Sequence, residues 1–163
     1  MPVIDAQVHC YGRNTPDSPW TDPFPGPAEM TGEDMVKAMD EVGVNGALLT
    51  SVFAIYRFDA SYAIAVQKKH PGRFALIKPV DANDPAVAEI IAEWAAMPGT
   101  VGVRIMMRPE ISGELIKTVQ GNSLVLAYYP DPVWLKTSRF VNPAAGERVE
   151  AAQTTRHTQI PTS

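Results

Sequence analysis

The 163 residues carry a net charge of −4, with 45% apolar and 20% charged side chains, as in globular chains long enough to bury a core. No basic run is present, which argues against nucleic acid as a partner, and no apolar stretch approaches the ~20 residues that span a bilayer, which argues against a membrane. Cys10 is the single cysteine, so an internal disulfide and a cysteine-cluster metal site are excluded; with no secretion signal visible, the expected compartment is the cytoplasm.

The first predicted element is a strand over residues 3–9, apolar and β-branched, that runs into a polar cluster. Alternation along a strand would put Asp5, Gln7 and His9 on one face and Ile4, Ala6 and Val8 on the other. A buried strand ending in Gln-x-His places an amide and an imidazole at its C-terminal end, where α/β proteins bind ligands. The same pair could instead hydrogen-bond loop backbone. From Cys10 to about Met30 no periodicity is visible, and Pro16, Pro19, Pro23, Pro25 and Pro27 forbid helix and central strand. With Tyr11, Trp20 and Phe24 as anchors, this segment reads as a stiff lid over the end of the sheet or as a surface excursion.

Thr31 has the character of an N-cap, with Glu33 and Asp34 in the first turn, Met35, Ala38, Met39 and Val42 at helical spacing, and Gly43 at the close. A continuous apolar run over 47–52 predicts a strand covered on both faces. Residues 53–58 follow as a loop carrying Tyr56 and Arg57, and Asp59 can cap a helix running to about Lys69, though it could also face a substrate. His70-Pro71-Gly72 stops that helix, and 74–80 is a third strand. Asp84-Pro85 starts a helix with Val87, Ile91 and Trp94 on one face. Met97-Pro98-Gly99 ends it, and 100–107 is a fourth strand. Four strands alternating with three helices predict parallel βαβ units with right-handed crossovers. Beyond Arg108 the rhythm fades: a short helix over 111–119, a short strand over 123–129, no clear period over 130–143, and a polar, mobile tail from Ala144.

Several motifs taken in order resemble the amidohydrolase-related family, also called the amidohydrolase 2 group. They are Ile4-Asp5-Ala6-Gln7-Val8-His9, the Trp20/Pro-rich loop and Met35-x-x-x-Met39-Asp40-x-x-Gly43-Val44. Tyr56-x-x-Asp59-x-x-Tyr62, Arg73-Phe74, Pro79-Val80-Asp81 and Gly102-Val103-Arg104 follow. The resemblance implies α/β architecture, the first half of a (β/α)8 TIM-type barrel, over residues 1–108, followed by an irregular extension over 109–143 and the polar tail over 144–163. A complete barrel of this type needs about 250 residues, so the expectation is a truncated or frame-shifted chain.

Family members typically hold a divalent metal, often zinc, through His-x-His at the end of strand one, with further histidines and an aspartate from later strands. His9 and Gln7 stand at those first positions. A glutamine oxygen is a weak, neutral ligand for zinc, so the implied site departs from the family pattern here. One branch, resembling 2-pyrone-4,6-dicarboxylate hydrolase, is thought to open lactones without a required metal. Family substrates are small carboxylated rings, lactones or acids held by arginines and hydroxyls. Arg104 at a buried strand end needs an anionic partner, either an acidic side chain or a substrate carboxylate. Lys78 invites the same argument or snorkels to water, and Tyr56 lies at the same end of the sheet. Cys10 reads as a small buried thiol. His70, at a helix end, and His157, in the tail, read as surface residues.

No phosphate-binding glycine loop and no serine nucleophile elbow is present, and no residue takes the role of general base. The expected function is an amidohydrolase-like hydrolase of a small anionic carboxylate or lactone. The alternative is a non-catalytic half-barrel that self-associates into a homo-oligomer through its open sheet edges. A weaker third expectation is an open flavodoxin-like sheet binding an anion.

Overall fold

The computed structural model describes residues 1–106, 112–129, 139–141 and 148–150. In chain order they form β1 (Ile4–Val8), α1 (Gly32–Glu41), β2 (Gly46–Thr50), α2 (Phe53–Tyr56), α3 (Ser61–Lys69) and β3 (Phe74–Val80). Then come α4 (Val87–Ala95), β4 (Thr100–Met106), α5 (Gly113–Gly121), β5 (Val125–Tyr129), β6 (Arg139–Val141) and β7 (Arg148–Glu150). The strands form one sheet in the order β1 to β7. The first five pair as parallel neighbours, joined by helical connections, and curl as one half of a (β/α)8-type barrel. The strands β6 and β7 continue the sheet antiparallel.

Local chemistry explains the elements. Thr31 caps α1 through a reciprocal box: its Oγ1 accepts from the Asp34 N–H at 3.2 Å, and Asp34 Oδ2 accepts from the Thr31 N–H at 3.1 Å. Gly43 takes φ +74°, a left-handed turn that ends the helix region. Arg73 then ties this turn to the start of β3, donating to the Asn45 carbonyl at 2.9 Å and to Asp40 Oδ1 at 2.7 Å. Asp84 accepts from the Ala86 N–H at 2.9 Å just ahead of α4.

The main core lies between the sheet and its helices. Leu49, Leu76, Val80, Val103 and Ile105 pack against Ala63, Val66, Ile91, Trp94, Leu115 and Val119, with Val8 at the β1 end. Each fully buried aliphatic side chain contributes about 1.5–3 kcal/mol of transfer free energy. The opposite, concave face of the sheet is left for other residues.

Four features differ from the sequence expectation. The strand β1 is not buried: Ile4, Asp5 and Ala6 are exposed, and only Val8 is covered, because β1 pairs with β2 alone among the described strands. Its register also slips between Asp5 and Val8, so Asp5 stands opposite Ala47 and Val8 opposite Leu49. Three β1 residues thus match two of β2, and the alternation that would put Asp5 with Gln7 and His9 is interrupted. Residues 53–56 form a helical turn instead of a loop, closed by Tyr56 N–H to Val52 O and Arg57 N–H to Phe53 O. Arg57 stops it at φ 53°.

Finally, α5 and β5 fall where a short helix and strand were expected, but β5 pairs parallel with β4, so the rhythm runs one unit further than the periodicity indicated. Most of 130–163, including the expected mobile tail and His157, lies outside the described residues, β6 and β7 excepted.

Candidate functional site at the strand ends

Val8 belongs to the helix-side core, so its neighbours Gln7 and His9 project to the concave face. Thr50, beside Leu49, and Arg104, between Val103 and Ile105, do the same by the same alternation. Gln7, His9 and Thr50 meet at the C-terminal ends of β1 and β2, and Arg104 stands on the same face of β4. His9 Nδ1 lies 2.8 Å from the Thr50 carbonyl oxygen, and His9 Nε2 lies 3.0 Å from Gln7 Nε2. A carbonyl oxygen only accepts, so Nδ1 carries the proton; Nε2 of the neutral ring is then the acceptor, and the Gln7 amide donates to it. Gln7 is held in turn by Asp5, whose Oδ1 accepts from the Gln7 backbone N–H at 2.9 Å.

Burial holds the His9 ring below its ordinary pKa of 6.5; the Thr50 hydrogen bond opposes this, and the positive charge of Arg104 adds to it. The charge of Arg104 is thus felt at the His9 ring. Arg104 is 9% exposed. A guanidinium stays charged at this depth, so Arg104 brings a positive charge to the concave face.

Lys78 does not join this group. It pairs with Val103 across β3 and β4, on the helix side, and its Nζ sits 5.8 Å from the Trp94 ring centroid. The one-residue step from Lys78 to Pro79, the partner of Arg104, sends the amine to the other face. Tyr56 lies at the correct end but is engaged: its Oη accepts from the Gly12 N–H at 3.0 Å, and its ring stacks on Tyr62 with centroids 5.6 Å apart. Burial raises both phenols, Tyr62 to about 12.

The proline-rich segment is packed down beside this end. Tyr11 and Met30 exchange backbone hydrogen bonds, and Trp20 and Phe24 meet Tyr11 edge-on at 5.7 and 5.2 Å. These rings cluster with Val52 and Ile55 of the β2–α2 corner. Trp20 Nε1–H donates to the Gly12 carbonyl at 2.9 Å. Cys10, 1% exposed beneath the segment, has its thiol pushed up to about 12 by burial, with the nearby Asp34 and Glu33 charges adding to it, so it is no nucleophile at neutral pH. Asp59 takes a structural role, accepting from the backbone N–H and hydroxyl of Ser61 at 3.1 and 2.7 Å. His70, expected at the surface, is mostly covered; it lies edge-on to Phe74, with Nε2 3.6 Å from Glu33 Oε1. Sequence reasoning missed the Thr50 carbonyl, for which a backbone acceptor leaves no side-chain signal.

The donor set does not fit a zinc centre. Among the described residues no three His, Cys, Asp or Glu side chains converge on one point. The His9 lone pair that would bind a metal already accepts from Gln7.

No protein-family model matches the chain, and no curated protein matches it significantly. Solved structures do. One, from Acinetobacter baumannii, is provisionally named a 2-pyrone-4,6-dicarboxylic acid hydrolase and was solved with citric acid bound; it shares 18% identity at a TM-score of 0.64, over 83% of this chain and 52% of its own. A Pseudomonas putida protein with the same provisional name shares 15% identity at 0.61, over 79% and 48%. An amidohydrolase from Burkholderia multivorans shares 18% at 0.53, over 78% and 47%. At these identities the likeness is one of fold. The chain spans about half the length of the solved structures it matches. No helix among the described residues is long and apolar enough to cross a membrane.

Proposed function

We propose that the concave strand ends bind a small carboxylated ring or lactone, and that the chain works as an amidohydrolase-like hydrolase or as the anion-binding half of one. The observation that carries this reading is Arg104, buried and always charged, on the same concave face as His9, whose ring feels its charge. A guanidinium matches a carboxylate through two parallel hydrogen bonds, and the low local dielectric strengthens both. The proline-rich segment packs at this end, and Gly12 and Tyr56 fix its position. The fold supports the reading, since (β/α)8 enzymes build their sites at this end. So does the citric acid bound to the Acinetobacter protein, itself a small polycarboxylate. Lys78 lies on the other face and has no part in this proposal.

Turnover and binding of carboxylated lactones by the full chain test it. Arg104→Met should weaken KM or Kd by roughly 10–100-fold, the loss expected for one charge-assisted contact, with the circular dichroism unchanged. A wild-type chain that neither binds nor turns over any of these lactones overturns it.

One observation favours the second reading, a half-barrel that self-associates. Val3 and Ile4 are 54% and 57% exposed at the start of the edge strand β1. A concentration-dependent dimer without lactone binding supports that reading over the first.

A further inference from the structure

We propose that the Gln7 side chain takes the place of a metal at the end of β1, closing the His9 Nε2 lone pair with its own amide and fixing the ring in one tautomer. The argument is one of donors and acceptors. The Thr50 carbonyl, 2.8 Å from Nδ1, requires a proton there. A neutral imidazole then has a single lone pair, on Nε2, and Gln7 Nε2 sits 3.0 Å from it. Turning the amide around would set its oxygen against that lone pair, so only the donating orientation pairs with the neutral ring.

The amide is also placed by its own backbone. The Gln7 N–H donates to Asp5 Oδ1 at 2.9 Å, at the register slip between Asp5 and Val8. Asp5, Gln7, His9 and Thr50 thus form a continuous hydrogen-bonded line across the end of β1 and β2. A metal bound at His9 would have to displace the amide and leave it without its acceptor. The glutamine is therefore more than a weaker ligand: it competes for the only lone pair that a ligand histidine has. This stands whether or not the chain turns over a lactone.

Nitrogen-15 NMR of the imidazoles in the full chain tests it, with His9→Asn identifying the His9 signals. In the wild type, His9 should show a single tautomer protonated at Nδ1, and zinc at millimolar concentration should leave its signals in place. Gln7→Met, similar in volume but unable to donate, should release Nε2, so that the same zinc shifts the His9 signals. Gln7→His should respond to zinc about tenfold or more tightly than Gln7→Met. Stoichiometric zinc uptake by the wild type with a shift at His9 Nε2 overturns the inference. So does a Gln7→Met protein whose His9 tautomer and zinc response match the wild type, a readout that needs no enzymatic activity.

Discussion

The imidazole of His9 is held by two hydrogen bonds in a place that disfavours its charge, and this has a thermodynamic consequence. Its folded pKa lies below 6.5, so on acidification the unfolded chain takes up this proton before the folded one does. The contribution of His9 is therefore intact above pH 6.5 and is lost as pH falls from there through the lowered folded value. Urea midpoints should drop as the pH falls below about 6.5, and His9→Gln should flatten that slope. An unchanged slope would mean that the ring is not held as described. Glu33 and Asp34, whose carboxyls are lowered chiefly by hydrogen bonds from Lys69 and Thr31, act in the same direction at lower pH. At the other end of the cap box, Thr31→Ala should cost about 1 kcal/mol, because the Asp34 N–H loses its acceptor. Thermal unfolding measures this.

At the scale of elements, the alternation of strands and helices was readable because each element has its own punctuation. Thr31 caps α1, Gly43 ends its turn, and the pattern 74–80 matches β3 to the residue. What the sequence hid are phase errors. Period-2 reasoning says which residues share a face only while the register is regular. The slip between Asp5 and Val8 breaks it in β1, and nothing in the residue types at 5–8 announces a bulge. The face taken by Lys78 is hidden for a related reason: its strand is apolar on both faces, so the pattern leaves open which one the amine takes. The pairing of β5 with β4 depends on a feature local to Gly102. A Cβ there would lie 2.5 Å from the Val125 carbonyl oxygen, so the two strands approach at a distance that only glycine allows. Gly102→Ala should force them apart and destabilise the protein by about 1–3 kcal/mol. Hydrogen exchange should show the loss of protection first in β5 and α5. Uniform loss across the sheet, or none, would contradict the local origin.

For the whole molecule, one edge of the described sheet is β1, and two opposing features set how that edge behaves. Val3 and Ile4 present apolar surface at its start, which favours pairing with another strand. Asp5 works against this: its exposed carboxylate, which accepts from the Gln7 N–H at 2.9 Å, puts a charge on the strand, and the register slip beside it makes the strand irregular. A pairing partner would have to accommodate that charge at the new junction. Two substitutions pull the balance in opposite directions. Asp5→Ala frees the N–H and removes the charge, so association should tighten by roughly tenfold or more, the factor that ~1.4 kcal/mol gives. Ile4→Lys adds a charge to the apolar start and should weaken it. Sedimentation velocity across a concentration series reads both, and the expected order of association is Asp5→Ala, then wild type, then Ile4→Lys. Three indistinguishable profiles would show that association, if present, uses another surface. A tighter complex for Ile4→Lys would reverse the role given to the strand's apolar start.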